Sequence, residues 1–391
     1  MKRILYFYHE NPLEKNAGNK TRVINLLRYF KNKGMVVDFV SIRNFGSTWT
    51  DHDKEVFEKS GFCRTLYLLS RKPKGKNLFQ YWLSYKIPNF FFKLRKNPIS
   101  LYLNYHIQKG FENVLKNETY DHIIINYVYW GELINKKNLL SRAMTILDTH
   151  DFTTPRHLDD KNFSLADFFG NEIKQMRYFD QIWAISSDEQ YLFGQFYPYK
   201  TKLVPFMIDK PGPRLLPQKY EFIYVASDNP HNKEAAEWFF SKVFPSIPDS
   251  YRLLVVGKIT KHIPDLPNVT KILHMDKIEE AYHSSKAAIC PMLHGTGLKI
   301  KVVEALAHGL PVICQIRGVD GLPNKINNGC LVSENATAFG QNMLHVVEDE
   351  DFHEKHRVDG ESLFLDYFQS EKVYKKLDRY FALKHEKHPI G

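Results

Sequence analysis

The sequence predicts an α/β protein built from two doubly wound domains. Short apolar runs alternate with stretches of helical periodicity along nearly the whole chain, the pattern of βαβ units around parallel sheets. The 391 residues supply enough chain for two cores. Between two such series lies Lys210 to Pro217, with three prolines and a glycine, the most linker-like stretch of the chain. These features predict one domain over 1–209, a second over 218–365 and a terminal helical segment in 366–391.

The first series opens with an apolar strand, Ile4 to Tyr8, a loop from His9 to Asn19, and a helix from about Lys20. Val23, Leu26, Leu27 and Phe30 form the apolar stripe of that helix, Gly34 closes it, and Met35 to Val40 is the next strand. Gly18 is the glycine of the loop; the second glycine of a Gly-x-Gly-x-x-Gly fingerprint is lacking, which argues against a dinucleotide site here. Residues 60–111 read as a basic aromatic insert, helical and interrupted by Pro88 and Pro98. Sheet signals resume at His122 to Val128 and Met144 to Leu147.

The latter strand runs into Asp148-Thr149-His150-Asp151, at the carboxyl end of a parallel strand where α/β sheets place ligands. A histidine flanked by two carboxylates can serve as acid or base, or bond a sugar hydroxyl. The plainer reading makes Asp151 a helix cap and His150 a satisfied loop residue. Arg156 suits an acceptor phosphate, or simply solvent. A helix at Asn171 to Phe179 and a strand at Gln181 to Ile185 complete the series.

The second series begins with a strand at Phe222 to Ala226, the loop Ser227 to Asn232, and a helix that turns Ala235, Ala236, Phe239 and Phe240 inward. Leu253 to Gly257 is a strand, and Lys258 just beyond it is placed to reach a diphosphate. Val269 to Met275 and a short helix, Ile278 to Ser284, follow. The most informative stretch comes next. A buried strand, Ala287 to Met292, empties into His294-Gly295-Thr296-Gly297, and a helix from Leu298 carries Val302, Ala305 and Leu306 inward. Gly309 and Pro311 stop that helix before a strand at Val312 to Gln315.

Such a turn favours an anion, because the first amides of a helix lack partners and the helix dipole adds positive charge. Lys299 and Lys301 near the helix start are unfavourable unless a negative group offsets them. Glu304, about two turns in, suits ribose hydroxyls. Gly318 to Gly321 and Gly329 to Val332 finish the second sheet, and helices at Ala336 to Val347 and Glu371 to Leu383 end the chain.

This central stretch resembles the donor-nucleotide motif of glycosyltransferase family 4, which reads Glu, seven residues, Glu, then Ala-x-Ala-x-Gly-x-Pro-Val. Glu304, Ala305, Ala307, Gly309, Pro311 and Val312 fall in place. Thr296 stands where the first glutamate is usual, as in the branch that reads Gly-Thr/Ser-Gly-Leu-Lys. Asp148 to Asp151 is similar to the family's acceptor-side motif, and Val204 to Asp209 to the segment that closes its first domain.

The resemblance implies a GT-B fold, two Rossmann-like domains facing each other across a cleft, with the last helix packing back on the first. It implies a hexosyltransferase-like enzyme moving sugar, with retention, from a nucleoside diphosphate sugar to an acceptor hydroxyl. Donor contacts would come from Gly18, Lys258, Met275, Gly295, Thr296, Gly297, Leu298, Lys299 and Glu304. His150, Asp151 and Thr296 would serve at the reacting centre, and His150 with Arg156 would bind a glycan, lipid-linked or protein acceptor. No metal and no cofactor beyond the sugar nucleotide is implied. The setting would be bacterial surface polysaccharide or glycoconjugate synthesis.

Composition bounds the partners. With 43% hydrophobic and 25% charged residues this is an ordinary soluble composition, and no run of about 18 apolar residues marks a membrane span. The amino terminus reads as a strand rather than a secretion signal, and Cys63, Cys290, Cys314 and Cys330 lack metal-ligand spacing, so a cytoplasmic protein is expected. The net charge of +10 calls for an anionic partner. No acidic residue falls between Glu58 and Glu112, where Arg71, Lys72, Lys74, Lys76, Lys86, Lys93, Arg95 and Lys96 are interleaved with aromatic residues. Residues 71–96 therefore suit an anionic membrane surface at the inner face of the cell membrane, or a helical hairpin with solvated lysines. A nucleic-acid-binding protein is disfavoured because no recognised module appears, and a nucleotide-sugar isomerising enzyme because no further paired carboxylates or histidines appear.

Overall fold

A computed structural model describes residues 1–14, 18–72, 77–158, 160–161, 163–213 and 217–382. Lys74, Lys76, part of the expected linker (214–216) and Leu383 lie outside the described residues. The chain divides into two units: Met1–Ile185 with Glu189–Leu203, and Ser186–Asp188 with everything from Val204 onward.

Among the described residues the main sheet of the first unit has seven parallel strands: β1 (Arg3–Phe7), β2 (Val36–Ile42), β3 (Thr65–Leu69), β4 (His122–Asn126), β5 (Met144–Asp148), β6 (Gln181–Ala184) and β7 (Thr201–Leu203). Their order is β3-β2-β1-β4-β5-β6-β7, so the winding reverses between β1 and β4. β4, β5 and β6 are buried throughout, as expected of parallel strands covered on both faces. The helix Gly18–Asn32 buries Val23, Leu26, Leu27 and Phe30, and Phe30 meets Tyr6 of β1 edge-on at 6.0 Å.

Two features differ from the expected all-helical insert. Thr65–Leu69 is an edge strand that pairs in parallel with β2, Asp38 opposite Thr65. Pro88 does not break its helix. The turn before it, Trp82–Lys86, is widened, and the Ile87 amide donates to the Trp82 carbonyl five residues back. A wide turn accommodates the missing proline N–H, so the helix continues as Ile87–Arg95.

Among the described residues the second unit has six parallel strands: β8 (Tyr220–Val225), β9 (Leu253–Val256), β10 (Val269–Ile272), β11 (Ser285–Cys290), β12 (Val312–Gln315) and β13 (Cys330–Ser333). Their order is β10-β9-β8-β11-β12-β13. Alternate residues feed two separate cores. Ile223, Leu254, Ala288 and Cys314 pack on one face, while Phe222, Val255, Ile289 and Ile313 pack on the other. The helix Ser370–Ala382 belongs to this unit and buries Val373, Leu377 and Phe381; the parallel bridge Ile208–Gln369 leads into it. A helix at Glu350–Leu363, absent from the sequence reading, packs beside Ile300–Ala307.

Candidate active site

In the second unit the winding reverses between β8 and β11, and the loops after both strands lie at the carboxyl edge of the sheet. This is where open α/β sheets bind ligands. After β11 the chain turns through Gly295 (φ +100°) and Gly297 (φ +74°), left-handed conformations that favour glycine. The helix then starts at Ile300, two residues later than the sequence suggests, with Lys299 as its extended N-cap. None of the amides from Gly295 to Lys299 donates to a group of the protein among the described residues.

Lys299 is buried, and its Nζ donates to the carbonyls of Gly297 at 2.8 Å, Thr296 at 3.2 Å and Gly295 at 3.3 Å. Lys301 Nζ donates to Asn232 Oδ1 at 2.9 Å and lies 5.6 Å from the centre of the Tyr224 ring. Burial pulls both lysines below the usual ammonium range. Neither pairs with a carboxylate among the described residues. Asn232 in turn donates from Nδ2 to the carbonyl and hydroxyl oxygens of Ser227, at 3.0 and 3.1 Å, so Lys301 ties the loop after β8 to the helix after β11.

Glu304 accepts from the Tyr282 hydroxyl at 3.3 Å. Burial pushes its carboxyl up to about 7, opposed by that bond and by Lys301. Thr296 and Lys258 are exposed, the latter just past Gly257; Leu298 and Met275 are half-buried, and Met275 follows β10. All of these sit in segments leaving the same edge of the sheet.

In the first unit, Asp148 ends β5 and is held by Arg22, whose Nε and second terminal nitrogen reach its oxygens at 2.7–3.1 Å; both side chains are fully buried. His150, with φ +60°, points Nε2 at Asn126 Oδ1, 2.6 Å away, and stacks on Tyr127 at 4.4 Å. Its Nε2 stands 3.5 Å from Asp148. Burial pushes the imidazole down to about 4, against the pull of Asp148, so it is neutral near pH 7. Asp151 is ion-paired with Arg156. The histidine flanked by two carboxylates is thus a neutral imidazole, and each flanking acid is paired with an arginine. Gly18 opens the first helix, next to Asn19, which donates from Nδ2 to the Tyr127 hydroxyl at 3.0 Å.

Four residues the sequence reading passed over join this edge. His9, just after β1, lies edge-on to Tyr127 at 5.4 Å, and burial pushes it down to about 3. Glu10 and Lys20 approach to 3.6 Å, and Asn126 is the last residue of β4. The signal for His9, Glu10 and Asn126 was position, since they end or closely follow strands that the apolar runs predict; Lys20, in the first turn of the helix, carried none. Among the described residues no cluster of three or more His, Cys, Asp or Glu side chains is placed to hold a metal ion.

Residues 219–349 match the family model for Glycosyl transferases group 1. The second unit is a group 1 glycosyltransferase domain. Among solved structures, sucrose-phosphate synthase of Thermosynechococcus elongatus is similar with TM-score 0.69 and 13% identity, covering 97% of this chain and 98% of that one. TarM of S. aureus, in a complex containing UDP, gives TM-score 0.68 and 12% identity over 98% of this chain and 100% of that one. Anabaena HepE in complex with UDP-glucose gives 0.66 and 12%, again over 98% and 100%. Curated protein sequences yield no match. The fold is GT-B, and the protein carries a group 1 glycosyltransferase domain.

Proposed function

We propose that this glycosyltransferase takes its sugar from a nucleoside diphosphate sugar held by the second unit and passes it to an acceptor hydroxyl bound by the first. One observation carries the reading: Lys299 is buried and Lys301 half-buried, neither with a carboxylate partner, beside five amides that donate to no group among the described residues. Partly dehydrated cations and outward amides of this kind suit a diphosphate. The structures of HepE with UDP-glucose and of TarM with UDP support the choice of donor.

In this reading the Gly295–Lys299 amides and Lys299 stabilise the departing diphosphate, with Lys258 reaching it from the next loop. Glu304 holds the ribose, Thr296 and Leu298 approach the donor sugar, and backbone near Met275 meets the base. Neutral His150 orients a hydroxyl by hydrogen bonding, and Gly18 lets backbone approach the donor. Arg156 meets an acceptor phosphate by exchanging it for Asp151. Transfer proceeds with retention, and the product belongs to a bacterial surface polysaccharide or glycoconjugate assembled at the inner face of a membrane.

Thermal shift with UDP and a panel of nucleotide sugars tests the reading. A ligand at 100 times its dissociation constant raises stability by about 2.7 kcal/mol. The expected result is a shift with one nucleotide series, abolished in Lys299→Ala and Glu304→Ala. Equal shifts in the parent and both variants would remove the assignment.

A further inference from the structure

The helical run from Leu78 to Arg95 presents an apolar stripe to solvent. Phe79, Leu83, Ile87, Phe90 and Leu94 recur at spacings of three and four, with exposures of 71, 52, 43, 60 and 69%. Trp82 flanks the stripe, 57% exposed. The opposite side buries one residue, Tyr85, and helps roof a cavity of about 460 Å³. The five residues of the stripe are therefore exposed rather than packed into a core. A patch of this extent marks a docking surface.

Charge selects the occupant. Lys86, Lys93 and Arg95 are exposed beside the stripe, and no carboxylate falls between Glu58 and Glu112. Lys96, expected with them, turns inward: its Nζ donates to the carbonyls of Ser100 at 2.6 Å and Leu101 at 3.2 Å. A second copy meeting this face would set like cations against each other. A bilayer with anionic headgroups satisfies both the stripe and its basic border.

We propose that Leu78–Arg95 docks the first unit on an anionic phospholipid bilayer. The stripe from Phe79 to Leu94 lies at the acyl boundary, roughly 5–10 Å below the headgroup surface, and Lys86, Lys93 and Arg95 stay among the phosphates. No helix among the described residues is long and apolar enough to cross a membrane, so this face lies in the interface plane. The proposal deepens the membrane setting given above and is independent of the donor.

Cosedimentation of the whole chain with vesicles of phosphatidylcholine, alone or mixed with phosphatidylglycerol, tests it. The parent should bind the mixed vesicles, and binding should fall with salt. Phe79→Ser with Leu83→Ser and Phe90→Ser should abolish binding. Lys86→Gln with Lys93→Gln and Arg95→Gln should weaken it about a hundredfold at low salt, at about fivefold per basic group. Both variants should keep the parent's melting temperature. In the parent, quenching of Trp fluorescence by brominated lipid should shrink in Trp82→Phe, a check that needs no multiple substitution. Parent-like vesicle binding by the serine variant would overturn the proposal. So would a parent that ignores mixed vesicles, or one that forms a dimer which the serine variant splits. Failure of UDP to shift the melting temperature would count against the donor reading and leave the vesicle result standing.

Discussion

Lys301 shows most directly how chemistry is stored in single residues of this protein. Its ammonium sits among Asn232 Oδ1, the Tyr224 ring and Met292 Sδ, neutral groups that repay little of the cost of dehydrating a charge. Lys301→Met should therefore raise the melting temperature of the ligand-free chain while weakening UDP binding at least tenfold. The second figure follows from about 1.5–3 kcal/mol for a charge-assisted hydrogen bond. Loss of stability with unchanged UDP affinity would make the lysine structural.

Glu304 carries a pH signature of definite sign. Its carboxyl is raised by burial to about 7 in the folded chain, so the native state favours the protonated form. The stability tied to that proton is complete below the unfolded carboxyl pKa and is lost as pH rises through 7. Glu304→Gln should melt above the parent at pH 8 and converge with it near pH 4.5; a constant gap across that range would refute burial as the cause. His150 behaves oppositely, depressed to about 4 by burial, so its contribution is present above the unfolded imidazole pKa and lost on acidification. At this scale, the contiguous residues from Gly295 to Glu304 were legible in the sequence because strand, turn and helix follow one another directly. His9, Asn126 and Tyr127 were not, because only the folded sheet brings neighbours of β1 and β4 together across more than a hundred positions.

Elements were legible where periodicity is one-sided and obscured where it is not. The two parallel sheets follow from alternating apolar runs and helical stripes, and the glycine turn after β11 appears as expected. Thr65–Leu69 was submerged in the basic aromatic stretch that follows it, although its five residues pair fully with β2. Glu350–Leu363 was missed because it buries little besides Gly360 and Leu363, leaving no apolar stripe to read. Its fit depends instead on a small residue: a Cβ at Gly360 would stand 2.7 Å from Leu306 Cδ2.

The same reasoning isolates Gly257, the turn between β9 and Lys258. Its φ is +110°, and a Cβ there would come within 2.3 Å of the Ala226 carbonyl oxygen at the end of β8. Gly257→Ala should lower unfolding free energy by at least about 2 kcal/mol in urea, since backbone strain and a backbone clash add. A loss below about 0.5 kcal/mol would show that the two strand ends separate at little cost.

At the scale of the whole molecule, one winding scheme is used twice: each sheet reverses direction beside its first strand, and each collects its candidate site residues at the carboxyl edge. The division of labour proposed for the units makes a regional prediction. Hydrogen exchange with UDP alone should slow amides around 226–232 and 292–303, and leave those around 8–10, 126–128 and 148–151 unchanged. Protection confined to the first unit would reverse the assignment.

The outward stripe of Leu78–Arg95 also bears on how the chain behaves in the test tube. In dilute buffer the cations bordering it repel each other across roughly 10 Å, and this keeps molecules apart. Brine shortens that reach to about 3 Å, so concentrated salt, usually chosen to prevent clumping of basic proteins, should here promote precipitation, and a trace of mild detergent should reverse it.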